Sequence, residues 1–205
     1  MSEAPQVTTP PHTVGAREVL KRNYLRLTKD LAVRMVVTTI LIAIPVTLAK
    51  LDISESPILS LFSVAAVLVF MYTAYRFIFG IYMGKCRKIL RHYPLEFRPR
   101  IIKKESSWTK YGDRFTMRIA DDKPGTAPLM RAVKGVGGRG WPKGTEGGVW
   151  VAGDAAFGGV VVVPGSYEML FFQPARWDKH AQERGQAGAE RLARARQARI
   201  ERRRL

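Results

Sequence analysis

Two stretches of the chain carry no charge at all, Met35–Ala49 and Ser56–Tyr75. The second is 20 residues long, and a helix of that length spans about 30 Å, the hydrocarbon thickness of a bilayer. The first has 15 uncharged residues. It reaches a spanning length once Leu31–Val33 are added and Arg34 snorkels to the headgroups. Both are apolar on all sides, and the rest of the chain is too polar and too small to enclose two such helices in a soluble core. The pattern predicts transmembrane helices at 31–50 and at 56–84, the latter with a cytoplasmic extension. Ser56 and Pro57 read as N-cap and first helical residue of the second. Pro45 leaves the Leu41 carbonyl without its helical donor and predicts a kink near the outer end of the first.

Ahead of the first span, Leu20, Tyr24, Leu27 and Leu31 recur at i, i+4, i+7 and i+11. That stripe predicts an amphipathic juxtamembrane helix over 16–30, lying either on the lipid interface or on the protein's own cytoplasmic domain. Residues 1–15, with Pro5, Pro10 and Pro11, read as a disordered N-terminus.

After the second span the period changes to two. Arg114–Ala120 puts Phe115, Met117 and Ile119 on one face and Thr116 and Arg118 on the other. Further strands are expected at Phe97–Lys103, Pro128–Val133, Gly148–Ala152, Gly159–Val163 and Glu168–Phe172. Turn residues at Asp121–Gly125 separate them, and Pro164-Gly165 suits the centre of a type II turn. Five or six short strands predict a small antiparallel β-barrel or sandwich over 95–173, of SH3-, OB- or PH-like type. The expected fold class is α+β: a transmembrane helix hairpin, this cytoplasmic β-domain and a C-terminal helix within a basic tail at 176–205.

Charge fixes the expected orientation. The chain has 34 Lys plus Arg against 17 Asp plus Glu, a net of +17. Most of that surplus lies at 76–104, which carries +8, and in the tail, which carries +6; residues 1–34 add +3, and 105–175 are nearly neutral. The connection Lys50–Ser56 is net acidic. By the positive-inside rule both termini are cytoplasmic and only that short turn is outside. Arg17, Lys21, Arg22, Arg26, Arg34, Arg76, Lys85, Arg87 and Lys88 are then the candidates for contact with an anionic phospholipid surface. The thirty or so polar residues before the first apolar run argue against a cleaved signal peptide.

Motifs with chemistry are sparse. One cysteine, Cys86, and three scattered histidines, His12, His92 and His180, allow neither an intrachain disulfide nor a cysteine zinc site. Gly135, Gly137 and Gly140 satisfy G-x-G-x-x-G, but Trp141-Pro142 follows where a phosphate-binding helix must start, so a flexible loop is expected. Arg139, Trp141 and Lys143 on that loop are candidates for a partner-binding tip. Gly80 and Gly84 make a small-xxx-small match for helix packing. Asp154 reads as a turn residue. No nucleophile–base arrangement is found, so neither an enzyme nor a cofactor site is expected. The Arg-rich tail could meet lipid phosphate, with nucleic acid second.

The span pair together with Trp150–Ser166, reading WVAGDAAFGGVVVVPGS, resembles uncharacterised small membrane proteins of high-GC actinobacteria over about residues 30–175. The resemblance implies a bacterial cytoplasmic membrane location and brings no catalytic residues. The function expected is a membrane anchor, scaffold or assembly factor that presents its β-domain to a cytosolic or membrane protein partner. An oligomeric channel or pore-forming subunit is the rival, and a membrane tether for nucleic acid a third reading. Two helices alone cannot line a pathway, so the channel requires a homo-oligomer.

Overall fold

The computed structural model describes residues 15–50, 57–109, 112–120, 127–134 and 140–203. The N-terminal stretch up to Val14, the Ser56 cap, the 121–125 turn and Arg139 lie outside them. The chain divides into two compact units, one from Tyr24 to Ile81 and one joining the residues before Tyr24 to those from Tyr82 onward. The fold is α+β, with a long apolar N-terminal helix and an antiparallel half-barrel.

Helix α1 runs unbroken over Ala16–Lys50 and α2 over Pro57–His92. The division expected at residue 30 is absent. No helix breaker stands there, and the ion pair Asp30–Arg34 at 3.0 Å, like Glu18–Arg22 at 2.8 Å, supports the helix at i, i+4 spacing. The helix continues through Pro45.

Seven strands follow: β1 (Glu96–Arg98), β2 (Arg100–Thr109), β3 (Gly112–Ala120), β4 (Leu129–Lys134), β5 (Val149–Asp154), β6 (Gly158–Val162) and β7 (Met169–Pro174). They form one sheet in the order β1-β5-β6-β7-β4-β3-β2. The two edge strands, β1 and β2, are separated only by Pro99, so the sheet must curl until its edges meet at that corner. Proline has no N–H for a ladder and marks the point where the strand expected at 97–103 divides in two.

Alternation assigns the two faces. Inside the curl lie Phe115, Met117, Met130, Ala132, Val149, Val161, Val163, Leu170 and Phe172, with Ile101, Ile119, Val151 and Trp141 packed around them. The opposite face of β7 is also covered: Phe171 meets Tyr82 of α2 at a ring separation of 6.2 Å. Asn23 of α1 donates from Nδ2 to the Tyr167 carbonyl at 2.6 Å. On that same side the tail folds back. Helix α3 (Ala181–Gly185) and helix α4 (Ala189–Ala198) follow β7, and Ala195, Ala198 and Ile200 are fully buried. Gly159 allows close packing within the sheet, since a Cβ there would run into the Ala152 carbonyl and come within 2.8 Å of the Phe172 ring.

Candidate functional site

Within the Tyr24–Ile81 unit, the two helices pair antiparallel. Gly80 faces Leu27, Tyr72 lies under Arg34 at 4.6 Å, and Leu41 and Pro45 share a groove with Ala66 and Ser63. The buried positions include Leu27, Thr38, Ala66 and Thr73, mostly small residues, while larger apolar side chains point outward. Among the described residues, the exposed large hydrophobic side chains all fall in this unit, with Leu61 at 69% and Leu68 at 61%. The threonine hydroxyls here are satisfied locally. Thr28, Thr38, Thr39, Thr47 and Thr73 each donate to the carbonyl four residues earlier, at 2.7–2.9 Å, so none of these hydroxyls needs water. The interhelical groove, about 690 Å³, is lined by Leu41, Ile42, Pro45, Val46, Ala66 and Phe70 among others.

By length and composition, one described helix is able to cross a membrane, over Ala16–Leu48; the described apolar run of α2, Ser60–Ala74, is shorter than a span.

The basic residues singled out from sequence differ in exposure and in partners. Arg17, Lys21, Arg26 and Arg87 are exposed. Arg22 is exposed too but bonded to Glu18 and stacked on the Tyr167 ring at 4.1 Å. Arg34 is held by Asp30. Lys85 lies over Tyr82 at 4.6 Å and Phe171 at 5.6 Å, and Lys88 is half-buried. The side chain of Arg76 lies outside the description. A Cβ on Gly80 would rest 4.0 Å from Leu27 Cδ2, and one on Gly84 would meet nothing. Of the expected loop tip, Lys143 is exposed, whereas Trp141 is not a tip residue. Its ring packs edge-on against Phe115 at 5.2 Å and its Nε1 donates to Thr145 Oγ1 at 2.8 Å. An aromatic beside an apolar core buries its body once its N–H finds a partner.

A polar cleft lies where the end of α2, the β5–β6 hairpin and α4 converge. It encloses about 470 Å³ and is lined by Tyr93, Glu96, Asp154, Glu190, Arg191 and Arg194, with Pro94, Gly153 and Gly188. Asp154 does close the hairpin, accepting from the Ala156 N–H at 2.9 Å. It also takes a two-pronged bond from Arg191, whose Nη2 reaches Oδ1 at 2.8 Å. Burial acts to raise the Asp154 pKa; the guanidinium and the hairpin N–H groups outweigh it and hold the carboxyl below its usual range. Arg191 extends to Glu183, and Arg194 stacks over Tyr93 at 5.8 Å. The Tyr93 hydroxyl has no hydrogen-bond partner among the described residues. Burial, then Asp154, push that phenol up to about 12. Burial likewise pushes the Cys86 thiol up to about 12, the opposite of an activated nucleophile.

No family model, curated protein or solved structure matches the chain. The geometry therefore stands alone. Sequence reading reached Asp154 as a turn residue and missed Arg191, because the pair spans 37 residues and no local signal joins them.

Proposed function

We propose that the chain is an integral membrane anchor or scaffold. Residues 31–50 and 56–84 form a transmembrane hairpin with both termini in the cytoplasm, and the sheet unit is presented there to a protein partner. The carrying observation is the segregation of exposed large apolar side chains into 24–81, the kind of grouping that marks a membrane or partner contact. The locally satisfied threonines support the same setting. The run Ser60–Ala74 becomes a span when the whole uncharged stretch of α2, from Pro57 to Tyr75, is counted. Basic residues at both inner flanks then rest on anionic phospholipid. A bacterial cytoplasmic membrane suits this reading, and no catalytic role is part of it.

The test is fractionation followed by crosslinking in native membranes. The chain should resist alkaline carbonate and high salt, leave the membrane only with detergent, and crosslink through the sheet unit to a cytosolic protein. Release by carbonate overturns the anchor. Ring-shaped detergent complexes that conduct ions in liposomes replace the scaffold with the pore, and salt-sensitive binding of DNA by the tail with no protein partner favours the nucleic-acid tether.

A further inference from the structure

The outer face of the half-barrel changes character between β7 and β3. Over β7 it is roofed by α2 and the tail, but toward the β2 edge it carries arginines. On β3, Arg114 and Arg118 point to this side, opposite Phe115, Met117 and Ile119. On β4, Arg131 pairs in register with Thr116, which lies between them, so it is the diagonal neighbour of both. Such diagonals place Cα atoms about 7–8 Å apart. The next residue along this row is Gln173 of β7, which donates from Nε2 to the Arg202 carbonyl at 2.9 Å. That bond brings the end of the tail, with Arg203, to the same place.

The guanidinium groups of Arg114, Arg118 and Arg131 from two adjacent strands thus converge, with Arg203 of the tail beside Arg131. Arg114, Arg118 and Arg131 make no ion pair or hydrogen bond with any described side chain, and the Nε atoms of Arg114 and Arg118 are buried without a partner. Desolvation, then Arg114 and Arg203, lower the basicity of Arg131. On the adjoining strand β2, Glu105 stands opposite Thr116, on the same side as the arginines. Packing like charges this closely and partly drying them is unfavourable unless an anion completes the set. Planar guanidinium forks match phosphate oxygens in both charge and geometry.

We propose that Arg114, Arg118 and Arg131, flanked by Arg203, form a binding site for a phosphate group. The site belongs to the sheet unit alone and holds whether or not 24–81 crosses a bilayer. The phosphate is carried either by a lipid headgroup or by a small soluble compound. In the same row as Arg114, two strands away, Phe171 carries Lys85 over its ring at 5.6 Å.

The test is the rate of phenylglyoxal modification at each arginine of the full-length chain, mapped by mass spectrometry. In neutral detergent, inorganic pyrophosphate should slow the reaction at Arg114, Arg118 and Arg131 about tenfold and leave exposed Arg196 unchanged. If only phosphatidylcholine nanodiscs containing phosphatidylglycerol give that pattern, the phosphate is a headgroup; protection by pyrophosphate alone makes it soluble. Arg131→Gln should remove protection from the other two arginines without lowering the unfolding temperature, because it relieves repulsion in the empty site. The wild-type pattern is readable however that variant folds. Protection by neither probe, equal protection of Arg196, or protection by duplex DNA alone overturns the site.

Discussion

Leu68 in α2 and Leu170 in β7 are the same side chain in opposite surroundings: the first is 61% exposed, the second fully buried. The contrast runs through both units. In 24–81 Leu25, Leu61, Leu68 and most valines point out, and Leu27 meets small residues at the helix seam. In the sheet unit, Val160–Val163 are buried without exception, on both faces of β6 and into the following turn. Polar groups divide in the same way. The threonines of α1 and α2 bond to their own helix, whereas Asn23, Gln173 and Asp154 bond to distant segments. One unit is therefore bonded within its own helices and leaves large apolar side chains exposed. The other excludes water by its own tertiary packing, so the two should answer differently to the same kind of change.

The largest separation is expected from truncation. Leu170→Ala should cost the sheet unit about 4 kcal/mol, the transfer loss plus a cavity in a close-packed core, read from chemical denaturation in neutral detergent. Leu68→Ala should change the same unfolding curve by less than about 0.5 kcal/mol. Equal losses would mean that Leu68 is packed in the working protein and would break the contrast. Next in size is a buried-phase charge. Leu68→Lys should cost about 3 kcal/mol in membrane insertion, visible as a lower carbonate-resistant fraction, with sheet stability unchanged. If that fraction stays at the wild-type level, α2 does not span.

The sheet was legible because its alternation is local: Arg114–Ala120 declares its inner and outer faces without reference to any other strand. The arginine site was not. Arg114 and Arg118 show as outward residues, but that Arg131 lies between them depends on the β3–β4 register, and Arg203 arrives only because Gln173 holds the Arg202 carbonyl. The tail misleads by composition. Its abundant arginines suggest a solvated helix, while three apolar positions, Ala195, Ala198 and Ile200, carry the docking. Trp141 misleads by neighbourhood, since glycines around it suggest an exposed tip and only the distant Phe115 shows otherwise. Local period reports faces; partners across the chain depend on register and packing.

A mid-sized effect distinguishes the two modes of polar satisfaction. Asp154→Asn retains an oxygen for the Ala156 N–H but removes the charge held by Arg191. It should cost about 2 kcal/mol, less than a fully buried pair because Arg191 is 41% exposed and screened by solvent. Thr38→Val, which removes only a bond within its own helix, should stay within about 0.5 kcal/mol. The pH dependence follows from sign. The folded Asp154 carboxyl lies below its ordinary value, so its contribution is complete above about pH 4 and lost as pH falls through the folded value. Acid unfolding of Asp154→Asn should show a correspondingly shallower slope, and identical slopes would remove the ion pair from the account of how the tail is held.

The smallest effect is a gain, and it is confined to the tail's backbone. Helix α4 ends in a left-handed residue, Arg199 at φ 58°, followed by Ile200, whose N–H bonds to the Ala195 carbonyl at 3.0 Å while that of Arg199 bonds to Arg196 at 2.9 Å. This is a Schellman ending, in which glycine is the usual left-handed residue because a Cβ is strained there. Arg199 is exposed and therefore free to change. Arg199→Gly relieves the strain but loosens the unfolded chain, so the net expected is a gain of about 0.5 kcal/mol, seen as a small rise in unfolding temperature. Ile200→Ala, which leaves the backbone turn and empties the buried contact, should instead lose about 3 kcal/mol. If both substitutions are neutral, the tail is not fastened to the sheet and belongs with the solvated segments after all.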